Sequence, residues 1–554
     1  MPADLLAAVP KLSDSKGQHR EPLDVCEANI GMHTSILTDY LLISFLFSSV
    51  ATAYSTTMMY YYYYLLLLGL AYWAVQRLIL SLEQRKFARK NGCQPCQRIP
   101  QRERLIGYGL YRQEVALARE GRSLQEAQNR FQLFGDTFSG VVMGQFFIST
   151  VDPENVKTLL SSQFSDFDSG KKGLFGPFIG DSMLTTDGAL WKHSRALVRP
   201  HLGKGQVEDL SKLEGHIQTL LTCLPKNGST IDLQQLFFRL TFDNVVELLL
   251  DKKVSTLNCQ PGSHLHKVVE AFENVGNLVN QRAALGPLLL FYRDTEMNAT
   301  CKILHDFVDD IIEKAYLKRK TQKDRKSPNS FLDSILDSTD DLVKIRFEVL
   351  GLLLAGRDTV ASVMSNLFFV LARRPDIWQK LQTEIEYLQE RKPTYDDLRG
   401  LKYLRQVIDE TMRLYPPVPG LFRAANRTTI LPRGGGHDGR SPVLVPKGTV
   451  ISCSTFSLQR REDVFGPDAQ EFRPERWDSL NPHWEFLPFS AGPRVCMGQT
   501  YAYAEMIYIL SRMLQEFQQV EKRSEEPWVE KWSIVLLNGS GTKVGLIPKT
   551  RAVE

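Results

Sequence analysis

The sequence predicts a mainly α-helical globular domain with a minor β part, preceded by an N-terminal membrane anchor. Three observations predict this fold class: helix-periodic segments outnumber strand-like runs, a long uncharged stretch lies near the N-terminus, and 554 residues exceed one ordinary core. We expect a polar N-terminal segment at 1–35, the anchor at 36–80, a basic linker at 81–100 and the large domain at 101–554.

The anchor is predicted from residues 40–76, which include no charged side chain. As a helix, residues 58–75 would reach roughly 27 Å, about one hydrocarbon thickness. Residues 41–50 form a second apolar run, so the anchor is either one span or a hairpin of two. Basic residues beside a span usually stay cytoplasmic, which predicts a large domain in the cytosol. These basic residues are Arg77, Arg85, Lys86, Arg89 and Lys90.

Charge and cysteine content exclude two classes of protein. The chain has 67 basic and 63 acidic residues, a net charge of +4, which is too small for a nucleic-acid-binding surface. The 8 cysteines are scattered along the chain without a disulfide-like framework. We therefore expect no nucleic-acid partner and a reducing compartment.

Helical periodicity dominates the chain after the linker, and a long helical pattern covers 341–372, roughly 48 Å as a helix. Ser338 to Asp340 are candidate caps for it, and Pro375 follows its end. Other helices are predicted at 123–134, 207–223, 233–250 and 301–319, and strands near 141–148 and 442–452.

Residues 487–499, the cysteine loop, place Cys496 in a setting that suits a metal-bound thiolate. Gly492 and Gly498 let the backbone approach a flat cofactor, and Pro493 stiffens the turn. A helix is predicted to begin just after the sulfur, and a helix N-terminus favours an anion. The alternative is a buried structural cysteine in a Gly/Pro turn.

Trp191 and Arg195 stand four residues apart and would share one face of a helix. An indole N–H and a guanidinium on one face can hold a carboxylate. The alternative is ordinary packing at the surface.

The middle of the long helix holds an acid and an alcohol, Asp358 and Thr359, beside the small residues Ala355 and Gly356. Charge in an otherwise apolar helix requires a reason. A hydroxyl with a nearby carboxylate can relay protons through water. The alternatives are a capped kink or a salt bridge on the helix surface.

Glu410 and Arg413 stand three residues apart on a helix that ends at Pro416, so they can pair along one face. Such a pair is worth little when it is exposed. Its value therefore depends on burial.

The cysteine loop resembles the haem-binding signature of the cytochrome P-450 family, the haem-thiolate monooxygenases. In that signature a phenylalanine stands seven residues before the cysteine and a glycine two after it, and Phe489 and Gly498 fill these places. The other motifs follow in the family's order, so the resemblance covers nearly all of the chain after the linker. It implies a cytochrome P-450-type fold, haem b (iron protoporphyrin IX) as cofactor, and insertion of one oxygen atom from O₂ into a substrate.

The resemblance implies roles for the residues on the cysteine side of the cofactor. Cys496 matches the axial iron ligand, whose electron donation promotes cleavage of the O–O bond. Trp191, Arg195 and Arg494 match residues that hold the haem propionates.

On the other side, Asp358 and Thr359 match the family's acid–alcohol pair, which delivers protons to bound O₂, and Gly356 matches a glycine that loosens the helix for O₂. Glu410 and Arg413 match a helix whose ion pair is buried against an arginine from a later Pro-x-Arg segment. Here that arginine is Arg476. The resemblance makes these three residues structural rather than catalytic.

The resemblance also implies partners and a location. Electrons should come from an NADPH-dependent flavoprotein reductase, because no dinucleotide or flavin motif is evident in this chain. Lys192, Arg199 and Arg405 are candidates for its docking face, with a solvated face as the alternative. The anchor then belongs in the endoplasmic reticulum membrane.

A narrower resemblance, at 174–181 and 431–439, is to the fungal membrane-bound branch that hydroxylates n-alkanes and fatty acids at or near the chain end. Residues 417–420 and Met497 look less typical of that branch, so a tailoring oxidase of a fungal secondary metabolite remains an alternative. A haem-thiolate isomerase or peroxygenase and a non-catalytic haem-binding protein are alternatives of other classes. Substrate contacts are expected from 174–183, 285–291, 349–359, 418–422 and 533–537.

Overall fold

The computed structural model describes residues 56–202, 208–321 and 330–549. It has two compact units, Met1–Leu82 and Glu83–Glu554. The helices are α1 (Thr56–Lys90), α2 (Tyr108–Glu120), α3 (Ser123–Phe134), α4 (Pro153–Lys157), α5 (Lys172–Ile179), α6 (Gly188–Val198), α7 (Ser211–Cys223), α8 (Leu233–Leu250), α9 (His264–Leu285), α10 (Thr295–Thr321), α11 (Phe331–Ser338), α12 (Leu342–Leu371), α13 (Pro375–Ile385), α14 (Tyr395–Gly400), α15 (Lys402–Leu414), α16 (Thr455–Leu458), α17 (Glu462–Phe465) and α18 (Gln499–Glu516).

Short strands form the minor β part. They are β1 (Gln97–Arg98), β2 (Thr137–Val142), β3 (Gln145–Thr150), β4 (Phe167–Asp168), β5 (Thr230–Asp232), β6 (Gly420–Ala425), β7 (Thr429–Gly435), β8 (Ser441–Val445), β9 (Val450–Ser454), β10 (Phe517–Lys522), β11 (Glu530–Trp532), β12 (Leu536–Asn538) and β13 (Lys543–Pro548). The largest sheet has the order β1-β2-β3-β9-β6-β4. Smaller sheets are β10-β13-β5, β11-β12 and β7-β8. The predicted class, mainly α with a minor β part, is confirmed.

The N-terminal helix α1 passes the length and composition test for crossing a membrane. The segment from Tyr62 to Lys90 is long and apolar enough to cross a membrane, and its apolar part is not buried against the rest of the described protein. The helix continues through the basic residues that follow residue 76 and ends at Lys90. The second apolar run at 41–50 lies outside the described residues.

Helix boundaries follow local signals where the sequence has strong ones. The predicted helix at 233–250 coincides with α8, because Asp232 caps it by accepting a hydrogen bond from Gln234 N–H. The helix at 123–134 coincides with α3. The helix predicted at 301–319 runs instead from Thr295 to Thr321, and the one predicted at 207–223 begins at Ser211.

Both predicted strand regions prove to be pairs of strands divided by turns. Met143 and Gly144 take positive φ values of 48° and 77°, which reverse the chain between β2 and β3. Gly448, with φ of 85°, lies in the turn between β8 and β9. Apolar runs gave no sign of these reversals, because the residues on either side of each turn are themselves strand formers.

Helix α12 is the central element of the large unit. Asp341 caps it by accepting from Lys344 N–H. Its first half, from Ile345 to Leu354, belongs to one hydrophobic core, and its second half, from Val360 onward, belongs to another. The stretch 355–359 lies between the two cores. This arrangement leaves the middle of the helix available for a site.

Candidate functional site

The cysteine loop is held by backbone hydrogen bonds and one close approach. Cys496 N–H donates to the carbonyl of Phe489 at 3.0 Å. Gly492 has φ of 70°, and a Cβ there would lie 1.9 Å from the carbonyl oxygen of Leu160. Only glycine fits such a position. Because α18 begins at Gln499, the sulfur lies just before a helix N-terminus.

Cys496 lies in a recess within the fold rather than on the outer surface. Its side chain is exposed. Even so, burial raises the pKa of the Cys496 thiol, whereas the Gly498 N–H and the Arg195 cation lower it. Protein therefore surrounds the sulfur in most directions and leaves one side accessible. An accessible thiol with a donor and a cation beside it suits a metal-bound thiolate.

Phe489 and Gly498 lie on either side of the cysteine in the chain. The Phe489 ring packs on Tyr503 of α18, with centroids 4.9 Å apart. A Cβ at Gly498 would lie 3.9 Å from the Cys496 sulfur. Glycine therefore keeps the space beside the sulfur free of a side chain.

Trp191 and Arg195 share one face of α6, as their spacing predicts, and Arg494 lies beside them. The Trp191 indole is 5% exposed, and the guanidinium carbons of Arg494 and Arg195 lie 4.7 and 5.8 Å from its ring centroid. Arg195 donates to the carbonyl of Val495 at 3.1 Å, which joins α6 to the cysteine loop. Arg494 donates to the carbonyl of Thr186 at 2.6 Å and pairs with Asp187.

Two further cations belong to this group, although sequence reasoning missed them. Burial lowers the pKa of Arg423 to about 10, and repulsion from Arg494 adds to the effect. Burial and the repulsion of Arg423 and Arg494 lower the pKa of Lys171 to about 8, against the attraction of Asp187. Among the described residues, the Nε of Arg423 has no hydrogen-bond partner.

Lys171, Arg195, Arg423 and Arg494, the cation cluster, fit an anionic group. Like charges this close lower one another's pKa values. The four cations outnumber the carboxylates that act on them, Asp168 and Asp187. An anionic cofactor edge would supply further negative charge. Lys171 precedes α5 and Arg423 lies in β6, so no spacing links them. The available signal was an arginine inside the apolar strand 420–425.

The middle of α12 is accessible, whereas the half of the helix that follows it, from Val360 to Leu371, is buried. Ala355 is exposed and Thr359 is partly exposed, one turn apart on the same face. The Thr359 hydroxyl donates to the Ala355 carbonyl at 2.7 Å. The helix is continuous through Gly356, where a Cβ would lie 2.8 Å from Val245 of α8. That glycine therefore permits close packing between α12 and α8.

Asp358 faces away from the Thr359 hydroxyl. It is 3% exposed and accepts a hydrogen bond from Arg357 Nη1 at 2.8 Å, its one side-chain bond in the described part of the chain. Burial raises the pKa of Asp358, and the Arg357 cation opposes the effect. Arg357 is 2% exposed, and Glu273 of α9 lies 3.9 Å from it. The structure does not bring the acid and the alcohol into contact.

Glu410, Arg413 and Arg476 meet in the interior, with fully buried side chains. Arg413 Nη2 donates to Glu410 Oε1 at 2.8 Å, and Arg476 Nε donates to the same oxygen at 2.9 Å. Trp477 Nε1 donates to the other carboxylate oxygen at 3.1 Å. Both guanidinium groups also donate to backbone carbonyls between 459 and 471. These three residues therefore hold α15 to the segment that precedes the cysteine loop.

Helix α9 ties together segments that are expected to contact the substrate. Arg282 donates to the carbonyls of Gly173 and Leu174 at the start of α5, at 2.7 and 3.0 Å. Asn280 donates to the carbonyl of Trp532 at 3.1 Å. Helix α9 is thus hydrogen-bonded both to the start of α5 and to Trp532, which are distant in sequence.

Comparison with known proteins decides the family. The family model described as cytochrome P450 matches residues 110–545. The chain belongs to the cytochrome P450 family. This match confirms the predicted P-450-type fold, the haem cofactor and the monooxygenase class, so O₂, a substrate and a redox partner are part of its chemistry.

Several fungal relatives cover most of this P450 chain. Cytochrome P450 monooxygenase himC of Aspergillus japonicus is 40% identical over 483 residues, covering 85% of this chain and 87% of the relative. Cytochrome P450 monooxygenase fsdH of Fusarium heterosporum is 37% identical over 493 residues, 86% of each chain. Cytochrome P450 52A5 of Candida maltosa is 38% identical over 402 residues, covering 69% of this chain and 76% of the relative.

Proposed function

We propose that this P450 hydroxylates a lipophilic substrate, a long-chain alkane or fatty acid at or near the chain end. The observation that carries the proposal is the pair of accessible positions inside the fold, Cys496 and the Ala355–Thr359 face, with the cation cluster nearby. The reaction converts a C–H bond into C–OH. The second oxygen atom leaves as water, formed with protons from solvent and electrons from NADPH.

In this proposal the Cys496 thiolate would bind the haem iron. When bound, haem b supplies the activation of O₂ that protein side chains cannot perform. Burial raises the pKa of the Cys496 thiol, and the Gly498 N–H and the Arg195 cation oppose that rise. Trp191 and the cation cluster would hold the propionates, whose carboxylates would add to those of Asp168 and Asp187. Phe489 shields the loop by its packing on Tyr503.

Thr359 would hold a proton on this side of the cofactor, because its hydroxyl lies at the accessible face of α12. Asp358 would supply that hydroxyl through water once its side chain leaves Arg357, because a carboxylate paired with a guanidinium is a poor proton donor. While Asp358 is paired with Arg357, it therefore does not donate a proton. Glu410, Arg413 and Arg476 have a structural role.

The membrane and the reductase complete the proposal. Helix α1 anchors the chain in the endoplasmic reticulum membrane, and the basic residues at its end keep the large unit in the cytosol. An NADPH-dependent flavoprotein reductase provides electrons. Lys192 and Arg199 are exposed and available for its docking, whereas Arg405 pairs with Asp409 at 3.1 Å.

A second candidate is the oxidation of a fungal secondary metabolite. Met497, which departs from the alkane-hydroxylase pattern, packs against the core that includes Phe178 of α5, a segment expected to contact the substrate. Val418, from the other departing segment, is 42% exposed. Both differences lie in or against segments that are expected to contact the substrate.

Two measurements test the proposal. The reduced, carbon-monoxide-bound spectrum should show a thiolate-type band that disappears in Cys496→Ala; persistence of the band would overturn the ligand assignment. Membranes with reductase and NADPH should then convert alkanes or fatty acids to terminal or near-terminal alcohols, identified by mass spectrometry. Products from a fungal metabolite extract alone would favour the second candidate.

A further inference from the structure

Lys344, in the first turn of α12, contacts three separate parts of the large unit. Its Nζ donates to the hydroxyl of Ser194 at 2.7 Å and to the carbonyl of Asp181 at 2.6 Å. It also lies 2.8 Å from Glu348 Oε1, one turn further along α12. An ammonium group has three N–H donors and no acceptor. Two of these donors are hydrogen-bonded here, and the Glu348 carboxylate balances the charge as an ion-pair partner.

Glu348 completes the arrangement from the same face of the helix. Its other carboxylate oxygen accepts the N–H of Met183 at 3.0 Å. The side chain of Glu348 is 1% exposed, and a buried carboxylate is tolerated only with partners. Lys344 and Glu348 together therefore bind the backbone of residues 181–183, one through a carbonyl and the other through an N–H.

These contacts lead directly to the residues around the cation cluster. Ser194 is fully buried in α6, between Trp191 and Arg195. Residues 181–183 continue to Thr186 and Asp187, whose oxygens accept hydrogen bonds from Arg494. One ammonium group is thus bonded to the helix that bears Arg195 and to the segment that orients Arg494.

An ordinary i,i+4 ion pair on a helix does not connect its helix to other parts of the protein. The pair Lys302–Asp306 on α10 has the same spacing, but its side chains are 74% and 59% exposed. Such pairs contribute little. The Lys344–Glu348 side chains are 19% and 1% exposed, and their other bonds join residues far away in sequence. Burial and reach both indicate a role beyond helix stabilisation.

We propose that Lys344 and Glu348 are positioning residues for the cofactor edge, acting through Ser194 and residues 181–187 on Arg195 and Arg494. They hold α6 and this segment against α12, so the two guanidinium groups stay where an anionic edge binds. The inference rests on the proposed function, because it takes the cation cluster to hold the haem propionates.

The test compares rates of haem transfer to a scavenging globin in the full-length holoprotein. Ser194→Ala removes one bond and no charge. Lys344→Met/Glu348→Gln removes both charges, so no uncompensated carboxylate remains to disrupt folding. We expect each variant to lose haem about tenfold faster than the parent. Because the variants break one shared connection, we expect the triple variant to lose haem no faster than the double variant.

Lys302→Met is the matched control, because it removes an exposed lysine at the same i,i+4 spacing, and its haem loss should equal that of the parent. Unchanged haem loss in both Ser194→Ala and Lys344→Met/Glu348→Gln, or fully additive effects in the triple variant, would overturn the positioning role. An equal change in the control would do the same.

A second readout separates this inference from the proposed function. Hydrogen exchange of the 181–187 amides should accelerate in the double variant relative to Lys302→Met, with or without haem. If the parent protein fails to bind haem, the proposed function fails while the exchange measurement still tests the connection. If haem binds normally and exchange is unchanged, only the positioning role is lost.

Discussion

At the scale of single residues, the chain keeps several ionisable groups in places that alter their protonation. Glu505, in α18 beyond the cysteine loop, is 3% exposed and accepts one hydrogen bond, from Asn244 Nδ2 at 2.7 Å. Burial raises the pKa of Glu505 to about 8, and the Asn244 bond only partly opposes it. The carboxyl group is therefore neutral at pH 7.

Glu505→Gln should remove a pH dependence of stability. Between the ordinary pKa of 4.5 and about 8, the unfolded chain loses this proton while the folded chain keeps it, so rising pH favours unfolding. The glutamine variant does not titrate, so its free energy of unfolding should rise relative to that of the parent protein as pH increases across this range. The difference should reach on the order of a few kcal/mol near pH 8. Urea unfolding at several pH values measures the difference. A constant difference from pH 5 to 8 would contradict the prediction.

Gly492 is a second position at which the identity of a single residue matters, because the cysteine loop requires glycine there. In Gly492→Ala the new methyl group would meet the Leu160 carbonyl at 1.9 Å, and φ of 70° disfavours a side chain. We expect the loop to shift and the thiolate-type carbon-monoxide band to fall to a small fraction of its parent intensity at equal protein concentration. Gly173→Ala is the control, because nothing lies within 4 Å of a Cβ there.

At the scale of elements, two helices are secured by buried charge. Helix α15 depends on Glu410, whose carboxylate is shared by Arg413 and Arg476. Helix α12 depends on partners that it reaches through Lys344 and Glu348. In both cases a charge is stable inside the protein because several donors or acceptors surround it.

Glu410→Ala should destabilise the large unit strongly. It leaves two arginines buried without their carboxylate, which costs about 3–5 kcal/mol in comparable buried pairs. Chemical unfolding of the full-length protein measures the change. The exposed pair on α10 offers a control, because Asp306→Ala should change stability by less than about 1 kcal/mol. Similar values for the two variants would contradict a structural role for Glu410.

Local sequence patterns made the long elements predictable, but they could not predict contacts between residues that are distant in sequence. Helix α8 and helix α12 followed from periodicity, although the cap of α12 is Asp341 and not one of the predicted residues Ser338 to Asp340. The Glu410 group followed from its motif. The hairpin at Met143 could not be read from an apolar run. Lys171 and Arg423 meet only after α5 and β6 are placed, and the turn of Asp358 toward Arg357 depends on side-chain packing rather than spacing.

At the scale of the whole molecule, the sequence separates an apolar N-terminal helix from a large unit that binds haem. Exposed apolar side chains run along α1 from Tyr62 to Leu82, the longest such stretch in the described residues. A soluble surface does not sustain an apolar stretch of this length.

Removal of residues 1–82 should release the protein from membranes. We expect the shortened chain to appear in the supernatant after high-speed centrifugation and to keep its thiolate-type carbon-monoxide band. The full-length chain should stay in the pellet after a high-salt wash, because insertion does not depend on surface charge. A shortened chain that still sediments with vesicles would show that α1 is not the main attachment.

The division of α12 between two hydrophobic cores has a consequence for how this enzyme can change. The core around the first half of the helix includes α5, α9 and α10, while the core around the second half includes α15 and α18. Substitutions in separate cores combine almost independently when they share no contacts. Selection for a new substrate can therefore rework the packing around α5 and α9, over many generations, while the packing around α15 and α18 is inherited unaltered.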